Sequence, residues 1–286
     1  MDAAPTLARR FWESIEPIHA VVYFAAEATD ATNALGLRGF WMGYFASRVA
    51  PLGPLNAEPV TAMTFGFSPE RVARAIPDAW RRASPAAVLD ARVDVAARLL
   101  KDRLGSRFAR ERDELVELLD DAVAGCRFEG RPLAAGWSSV PAPDDVVART
   151  WLATTVLREH RGDGHVLAAV SLGLRGIDAV LTHVATGVMT RERMQPTRGW
   201  SDAEWERAAH RLEARCLLDR DGRLTKTGGA LRRELESVTD RLAAGPVERL
   251  GSTGVERAIA LAAPMSRHLI DVGAVPVPNP IGAPRP

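Results

Sequence analysis

The four residues Gly-Leu-Arg-Gly occur twice in this chain, at 36–39 and again at 173–176. Each copy lies between two apolar segments with helical spacing, and an aromatic-Ser pair follows each at a similar distance, at 67–68 and 200–201. Matched order and spacing of this kind are typical of an internal repeat. We therefore predict a mainly α fold with two winged-helix-like halves related by internal duplication.

Proline and glycine divide the chain into segments. The stretch 125–143 is the least periodic and is predicted to be a linker. The predicted organisation is an N-terminal helical, degenerate winged-helix-like half at 1–124, the linker at 125–143, a C-terminal winged-helix half at 144–272, and a Pro-rich tail at 273–286. Ser or Thr just before an apolar segment predicts helix starts at positions 68, 84, 201 and 225.

The composition limits the classes of protein to which the chain can belong. Among its 286 residues, Lys plus Arg (37) nearly equals Asp plus Glu (36), so no overall positive charge attracts nucleic acid or an anionic membrane. Two cysteines without metal-type spacing, Cys126 and Cys216, are expected to be free thiols. There is no signal-like N-terminus and no apolar run long enough to span a membrane. We predict a cytoplasmic protein with no membrane partner.

The segment 212–229 carries the pattern most typical of a particular fold. A helix is expected to end near Arg215, and 216–218 is expected to form a short strand. Asp221-Gly222 is a hairpin turn, and Leu224 begins the return before Thr225 caps the next helix. The prediction is a small β-hairpin, the wing of a winged helix, in the second half.

Residues 200–239 resemble the winged helix-turn-helix domains of MarR-type regulators. The shared features are an aromatic-Ser helix start, Arg-Leu-Glu-Ala-Arg-x-Leu-Leu, the Asp-Gly wing, and Leu-Thr-x-x-Gly before a long helix. Over nearly its full length the chain also looks like an actinobacterial family known as helix-turn-helix proteins, whose function is largely unassigned. Cys216 departs from the pattern, which has Gly at that position. The resemblance implies a winged-helix scaffold and leaves the chemistry open.

A DNA-binding function would use the helix that starts near Ser201. Its first turns carry Asp202, Glu204 and Glu206, which suit the positive end of a helix dipole but repel phosphate. The residues available for phosphate contacts in and before this helix are Arg191, Arg198, Arg207 and Arg211. A ligand-responsive, MarR-like regulator that binds DNA is therefore kept as the alternative function.

Polar residues in the first apolar helix predict a ligand-binding site. Glu16, His19, Tyr23 and Glu27 follow one another at spacings that place them on one helix face. Such a polar stripe needs partners if it is buried. The residues predicted to bind a ligand are His19, Tyr23, Glu27, Tyr44, Arg48 and Arg158.

The charged run 157–165 joins two apolar segments and predicts the chemistry of that site. We expect a helix to end at His160, a turn at Gly162-Asp163-Gly164, and Asp163 to cap the next helix. The turn would bring His160, His165, Glu159 and Asp163 to one opening, where imidazole and carboxylate can transfer protons or bind a metal. No recognised metal, haem or nucleotide motif is present, so the cofactor stays unknown.

Three hypotheses follow from these patterns. The first is a protein that binds a small molecule, a metal or haem in a pocket between two halves, with enzyme activity left open. The second is the DNA-binding regulator. In the third, Arg158, Glu159, Arg161 and Asp163 form only a salt-bridge network that joins helices.

Overall fold

The chain folds into helices joined by short loops. A computed structural model describes residues 6–286, and within this range fifteen α-helices and one 3-10 helix follow one another. They are α1 (Leu7–Phe24), α2 (Ala26–Ala34), α3 (Gly39–Val49), the 3-10 helix (Ala50–Leu52), α4 (Ala57–Thr64), α5 (Pro69–Ala73), α6 (Asp78–Arg82), α7 (Pro85–Leu104), α8 (Ala109–Ala124), α9 (Pro132–Ser138), α10 (Val146–Ser171), α11 (Gly176–Val184), α12 (Arg191–Arg198), α13 (Asp202–Ala214), α14 (Lys226–Leu242) and α15 (Gly245–Asp271). The prediction of a mainly α fold is confirmed.

Capping side chains start several of these helices where the sequence predicted a start. The hydroxyls of Ser68, Ser84 and Thr225 each accept a hydrogen bond from a backbone N–H in the first turn of α5, α7 and α14. Ser201 and Glu204 form a reciprocal capping box at α13. Each cap satisfies backbone donors that the helix itself leaves unpaired. These boundaries are therefore local properties of the sequence.

The predicted β-hairpin wing is wrong, and with it the description of the fold as two winged-helix halves. Between residues 6 and 286 there is no β-strand, and Leu218 and Leu224 form an isolated antiparallel bridge. Asp219 closes a tight turn in which its N–H donates to the Arg223 carbonyl at 2.9 Å. Because α13 ends and α14 begins close to this turn, only one residue pair can form β-type hydrogen bonds. A hairpin needs longer paired strands.

Cys216 ends α13 with a left-handed backbone conformation, at φ 53°. Glycine usually occupies this position after a helix because it has no Cβ, so cysteine adopts the conformation at some cost in backbone energy. Cys216 is exposed, and both Cys216 and Cys126 are free thiols, as predicted. Burial raises the pKa of the Cys126 thiol to about 12, so this sulfur stays protonated at neutral pH.

The predicted turn at residues 162–164 is also wrong, because α10 runs without a break through Gly162, Asp163 and Gly164. The helix is enclosed by α1, α7, α8, α9 and α14, so tertiary packing outweighs the low helix propensity of its two glycines. Gly164 has a packing reason to be small: a Cβ there would lie 2.8 Å from Nη1 of Arg131. Asp163 is consequently a helix-interior residue and does not cap α10 or a following helix.

Two hydrophobic cores organise the helices. The larger core combines side chains from residues 11–157 with side chains of α15 and of the last residues of the chain, whereas the smaller core lies within 168–242. The last long helix, α15, packs mainly on α1 and α8. Residues 125–143, predicted as a linker, contain α9, whose Trp137 is fully buried in the larger core. The chain therefore leaves the larger core after residue 157, forms the smaller core, and returns to the larger core with α15.

The first three residues of the two Gly-Leu-Arg-Gly sequences have similar local structures, whereas the fourth has a positive φ angle, of 70°, only in the first copy, at Gly39. Gly36 and Gly173 have positive φ angles of 87° and 68°, which glycine adopts without strain. Leu37 and Leu174 follow them, are buried, and donate their N–H to carbonyls five residues back, at 3.2 and 3.0 Å. Both copies thus end a helix with a Schellman-type cap and lead directly into the next helix.

No single helix between residues 6 and 286 is long and apolar enough to cross a bilayer. α10 and α11 reach the required length and composition only together, and they are bent by 98° at the break between them.

Candidate ligand-binding site

A cluster of buried charged side chains lies where α1, α3 and α10 meet. Arg48 donates two hydrogen bonds to Glu159, from Nε at 3.0 Å and from Nη2 at 2.9 Å, and Arg158 donates a third at 2.9 Å. Burial alone would raise the pKa of Glu159, but Arg158 and Arg48 outweigh it and hold this pKa far below its ordinary value. Glu159 is therefore an anion shared by two cations in the protein interior.

Glu16 extends the cluster along α1. Its carboxylate accepts a hydrogen bond from the Trp12 indole at 2.8 Å and lies 3.6 Å from Nε of Arg158. Burial raises the pKa of Glu16, although Arg158 and Trp12 oppose that shift. The Arg158 guanidinium thus joins Glu16 on α1 to Glu159 on α10. The Arg158 side chain is mostly buried, with 14% of its surface exposed.

His19 has a defined tautomer in this cluster. The Thr155 hydroxyl uses its single proton to donate to the Trp151 carbonyl at 2.8 Å, so it accepts from Nδ1–H of His19 at 2.9 Å. Nε2 of His19 is then unprotonated and accepts the hydroxyl proton of Tyr23 at 3.0 Å. Burial, reinforced by the positive charges of Arg158 and Arg92, keeps the pKa of His19 well below its ordinary value. His19 is therefore a neutral base hydrogen-bonded to Tyr23.

The tyrosine cleft, as we call it, opens beside this cluster beneath α2. The space within it that a water-sized molecule can occupy is about 20 Å³, and the wider empty volume of about 380 Å³ includes open solvent. Its lining residues are Val22, Tyr23, Ala28, Thr29, Thr32, Phe40, Gly43, Tyr44, Ser47, Arg92 and Val95. Both tyrosines of the chain belong to this lining. The cleft is narrow at Gly43, where a Cβ would lie 2.3 Å from Oγ1 of Thr32.

The second tyrosine, Tyr44, connects the cleft to the buried ion pairs. Its hydroxyl accepts a hydrogen bond from Nη1 of Arg48 at 3.2 Å, and its ring lies 5.4 Å from the ring of Tyr23. Burial disfavours the phenolate, but the positive charges of Arg48, Arg198 and Arg158 outweigh it and lower the pKa of Tyr44. Tyr44 is consequently the more acidic of the two phenols in the cleft.

Arg92 is the charged cleft residue that the sequence-based site does not include. It is only 5% exposed, and its Nη1 donates to the Ser47 hydroxyl at 2.8 Å. Its Nε and Nη2 atoms have no hydrogen-bond partner among residues 6–286. One signal was available in the sequence: Arg92 lies four residues after Val88 and seven before Leu99, on the buried apolar face of α7.

The predicted site residues are only partly brought together. His19, Tyr23, Tyr44, Arg48, Arg158 and Glu159 form the cluster described above. Glu27 is separate, because the backbone is extended at Ala25 and Glu27 belongs to the first turn of α2. Its carboxylate is exposed and pairs with Arg103 at 3.2 Å. The predicted stripe of four polar residues therefore holds only for its first three members.

The remaining predicted catalytic residues face other parts of the protein, because a continuous α10 points them in different directions. Nε2 of His160 accepts the Arg127 backbone N–H at 3.4 Å, and His165 hydrogen-bonds Thr239 through Nδ1 at 3.1 Å. Asp163 accepts the Ala134 backbone N–H at 3.0 Å, at the start of α9. Burial, together with the charge of Glu159, raises the pKa of Asp163 to about 7. The expected common opening for these residues is not formed.

The environment of His160 predicts an acid-sensitive fold. Burial and Arg131 lower the pKa of His160 from 6.5 to about 4, so the unfolded chain binds more protons than the folded one between these values. Stability from this residue is complete above pH 6.5 and is lost as the pH falls towards 4. In the wild type, the free energy of unfolding should fall by up to about 3 kcal/mol over this pH range because of His160. In His160→Gln, this part of the loss should be absent. Urea unfolding of both proteins at pH 4.5 and pH 7.5 measures this difference, and a stability gap independent of pH would contradict it.

Three of the four residues in the salt-bridge hypothesis form ion pairs that join helices: Arg158 and Glu159 link α10 to α1 and α3, and Arg161 links it to α14. Nη2 of Arg161 lies 2.7 Å from the Asp240 carboxylate, which also contacts Arg9 at 3.2 Å. These pairs join α10, α14 and α1. A clamp between helices therefore exists beside the cluster, and it involves Arg161 without Asp163.

The candidate DNA contacts around α13 are largely engaged within the protein. Arg191 pairs with Asp202 at 3.1 Å and with Glu206 at 2.6 Å, and Arg211 pairs with the buried Asp178 at 2.8 Å. Arg198 donates to the Pro280 carbonyl at 2.7 Å and lies over the Phe67 ring. Of the four predicted arginines, Arg207 is the one with an exposed side chain on α13.

A metal centre was one of the predicted uses of this pocket. Across residues 6–286, no group of three or more His, Cys, Asp or Glu side chains is placed to hold a metal ion. The donors that meet in the cluster are mainly guanidinium groups, which do not ligate metals. The site chemistry therefore favours an organic ligand or an anion over a cation.

The helical fold and the buried cluster together define an α-helical protein with a cleft beside a cluster of buried charged side chains. The model of a helix-turn-helix family matches residues 8–276. The chain belongs to this helix-turn-helix family. The match extends over both cores and does not support the narrower resemblance to MarR-type domains or an actinobacterial origin. Comparison with curated proteins and with solved structures gave no match.

Proposed function

We propose that this protein binds a small molecule in the tyrosine cleft. The observation that carries the proposal is the position of Tyr23 and Tyr44, the chain's two tyrosines, which both line the cleft and are hydrogen-bonded to buried charged or titratable groups. Ligand sites are commonly apolar clefts with a few oriented polar groups. Phe40, Val22 and Val95 supply the apolar walls here.

The cost of the cluster supports a functional reason for it. Glu16, His19, Arg48 and Glu159 are each less than one-tenth exposed. A buried ion pair is often no more stabilising than apolar side chains of the same volume, because both charges lose their hydration. Perturbed titratable groups beside a cleft are also a recurring property of binding and catalytic sites.

The His19–Tyr23 pair is the part of this site that can transfer a proton. A ligand hydroxyl in the cleft can donate to the Tyr23 oxygen while the Tyr23 proton passes to Nε2 of His19, which already accepts it, so the pair can take one proton from a ligand. The charges of Arg158 and Glu159 act on this pair in opposite directions: Arg158 lowers the pKa of His19 and Glu159 raises it. If the ligand is a substrate, Tyr23 and His19 are the residues that we propose for acid-base chemistry.

Blocking the cleft tests the proposal. Ala28 on α2 lines the cleft, so Ala28→Trp should fill it, whereas Ala34→Trp places the same side chain on an exposed position of the same helix. Each protein is equilibrated with a small-molecule cell extract, and retained compounds are identified by mass spectrometry. We expect a compound that is retained by the wild type and by Ala34→Trp but not by Ala28→Trp. Equal retention by all three proteins, or none, would count against ligand binding in this cleft.

A DNA-binding, ligand-responsive regulator is the second candidate, and the description of the family as helix-turn-helix favours it. α13 would be the helix that enters the major groove, and Arg207 its available cation. The acidic start of α13 and the internal pairing of Arg191 and Arg211 weigh against it. A regulator should retard the DNA upstream of its own gene, with an affinity that falls steeply with salt and is reduced in Arg207→Glu. Unchanged retardation in Arg207→Glu would count against α13 as the reading helix.

A further inference from the structure

We propose that the ligand of the tyrosine cleft carries a carboxylate, and that Arg92 binds this group through two parallel hydrogen bonds. The inference rests on the proposed function and adds the chemical class of the ligand. Arg92 lines the cleft and is 5% exposed, and two of its three guanidinium nitrogens lack a partner within residues 6–286.

The two unpartnered atoms are Nε and Nη2, which share one edge of the guanidinium plane. Arg48 uses the same two nitrogens to bind the carboxylate of Glu159, at 3.0 and 2.9 Å. A planar carboxylate matches this edge in a bidentate arrangement. The Arg92 edge is covered by protein in this structure, so a ligand carboxylate reaches it when the cleft lining moves aside, and it then meets the geometry that Arg48 uses for an internal carboxylate.

The three aromatic rings around Arg92 stabilise its charge without supplying hydrogen-bond acceptors to Nε and Nη2. Its guanidinium carbon lies 5.1 Å from the ring of Tyr23, 5.5 Å from that of Trp151 and 5.8 Å from that of Trp137. Such cation–π contacts attract the positive charge but leave the N–H donors unsatisfied. An unpaired buried donor costs free energy, and a ligand acceptor would recover that cost.

The local charge balance favours an anion as well. Arg48, Arg92 and Arg158 all contribute positive charge near His19. Glu159 and Glu16 are the carboxylates of this cluster, and both lie against Arg158. Even with both ionised, the arginines outnumber them, and Arg92 pairs with no carboxylate within residues 6–286. A monoanionic ligand would therefore neutralise the remaining charge in a poorly hydrated site.

Pairs of probes with matched shape but different charge test this inference. Calorimetric titrations at pH 7 with benzoate and benzamide, and with butyrate and butyramide, compare an anion with a neutral molecule of nearly the same shape. We expect the better carboxylate to bind the wild type about tenfold or more tightly than its amide, as a charge-assisted pair predicts. Arg92→Gln should remove this preference, so that carboxylate and amide bind with similar affinity. Arg92→Lys, which keeps the charge but loses the planar edge, should retain part of it.

Arg98→Gln is the matched control, because Arg98 lies on the exposed face of the same helix. Circular dichroism and thermal midpoints establish that each variant is folded. Equal affinity for carboxylate and amide in the wild type would overturn the inference while leaving the cleft as a binding site. The inference would also be overturned if the compound that wild type and Ala34→Trp retain, and Ala28→Trp does not, were neutral. If no probe binds and no compound is retained, the proposed function itself fails.

Discussion

Replacing Glu159 by Gln should lower the free energy of unfolding by about 3–5 kcal/mol, the cost of breaking a buried ion pair by removing one partner. Glu159 is fully buried and is the shared carboxylate of Arg48 and Arg158. A neutral amide would leave two guanidinium groups in the interior with most of their charge uncompensated. Equilibrium urea unfolding at pH 7.5 measures the loss.

A matched control separates burial from the mere loss of an ion pair. Glu70 pairs with Arg74 on the surface, and both side chains are more than two-thirds exposed. Glu70→Gln should change stability by less than about 0.5 kcal/mol, since exposed pairs contribute little. Similar small losses in both variants would contradict the assignment of Glu159 as the charge that holds the cluster together.

Gly176→Ala should destabilise the protein by about 3 kcal/mol or more, at the upper end of overpacking effects. A Cβ at Gly176 would lie 1.8 Å from the carbonyl oxygen of Phe65 and 2.8 Å from its carbonyl carbon. The atom in contact is backbone, in a turn where Phe65 already has a φ angle of 34°, so it cannot rotate away. The start of α11 would have to move away from the end of α4. Thermal and urea unfolding measure the loss.

Gly162→Ala is the comparison for this variant, and it also tests the continuity of α10. A Cβ at Gly162 would meet only ordinary contacts, 3.6 Å from Arg158 and 3.7 Å from Glu159. Because alanine has a higher helix propensity than glycine, this variant should be neutral or more stable by up to about 1 kcal/mol. A loss as large as that of Gly176→Ala would indicate that Gly162 has a non-helical role, as the sequence-based turn assumed.

The ligand site could be predicted in part because helical spacing is a local property. Glu16, His19 and Tyr23 lie three and four residues apart, so they share a face of α1 whatever packs against it. The chain could also be expected to give such a face partners, because buried polar groups need them. Arg48 and Arg158 were identified as charged residues next to apolar segments, and both contact Glu159.

Arg92 and the directions of the α10 side chains could not be predicted in the same way. Arg92 is one of many arginines, and its significance depends on three aromatic rings that reach it from α1, α9 and α10. His160 and His165 lie close in sequence, and a turn would have brought them together. In the continuous helix one faces Arg127 and the other Thr239.

The sequence by itself determined where several helices begin, because caps such as Ser68, Ser84 and Ser201 act within one helical turn. It also determined the two Gly-Leu-Arg-Gly caps, whose backbone conformation depends on glycine alone. The tertiary structure decided the rest: whether residues 162–164 form a turn or a helix, and which of the charged side chains meet. The reason is that glycine propensity and single exposed ion pairs contribute about 1 kcal/mol or less each, so packing of a whole helix outweighs them.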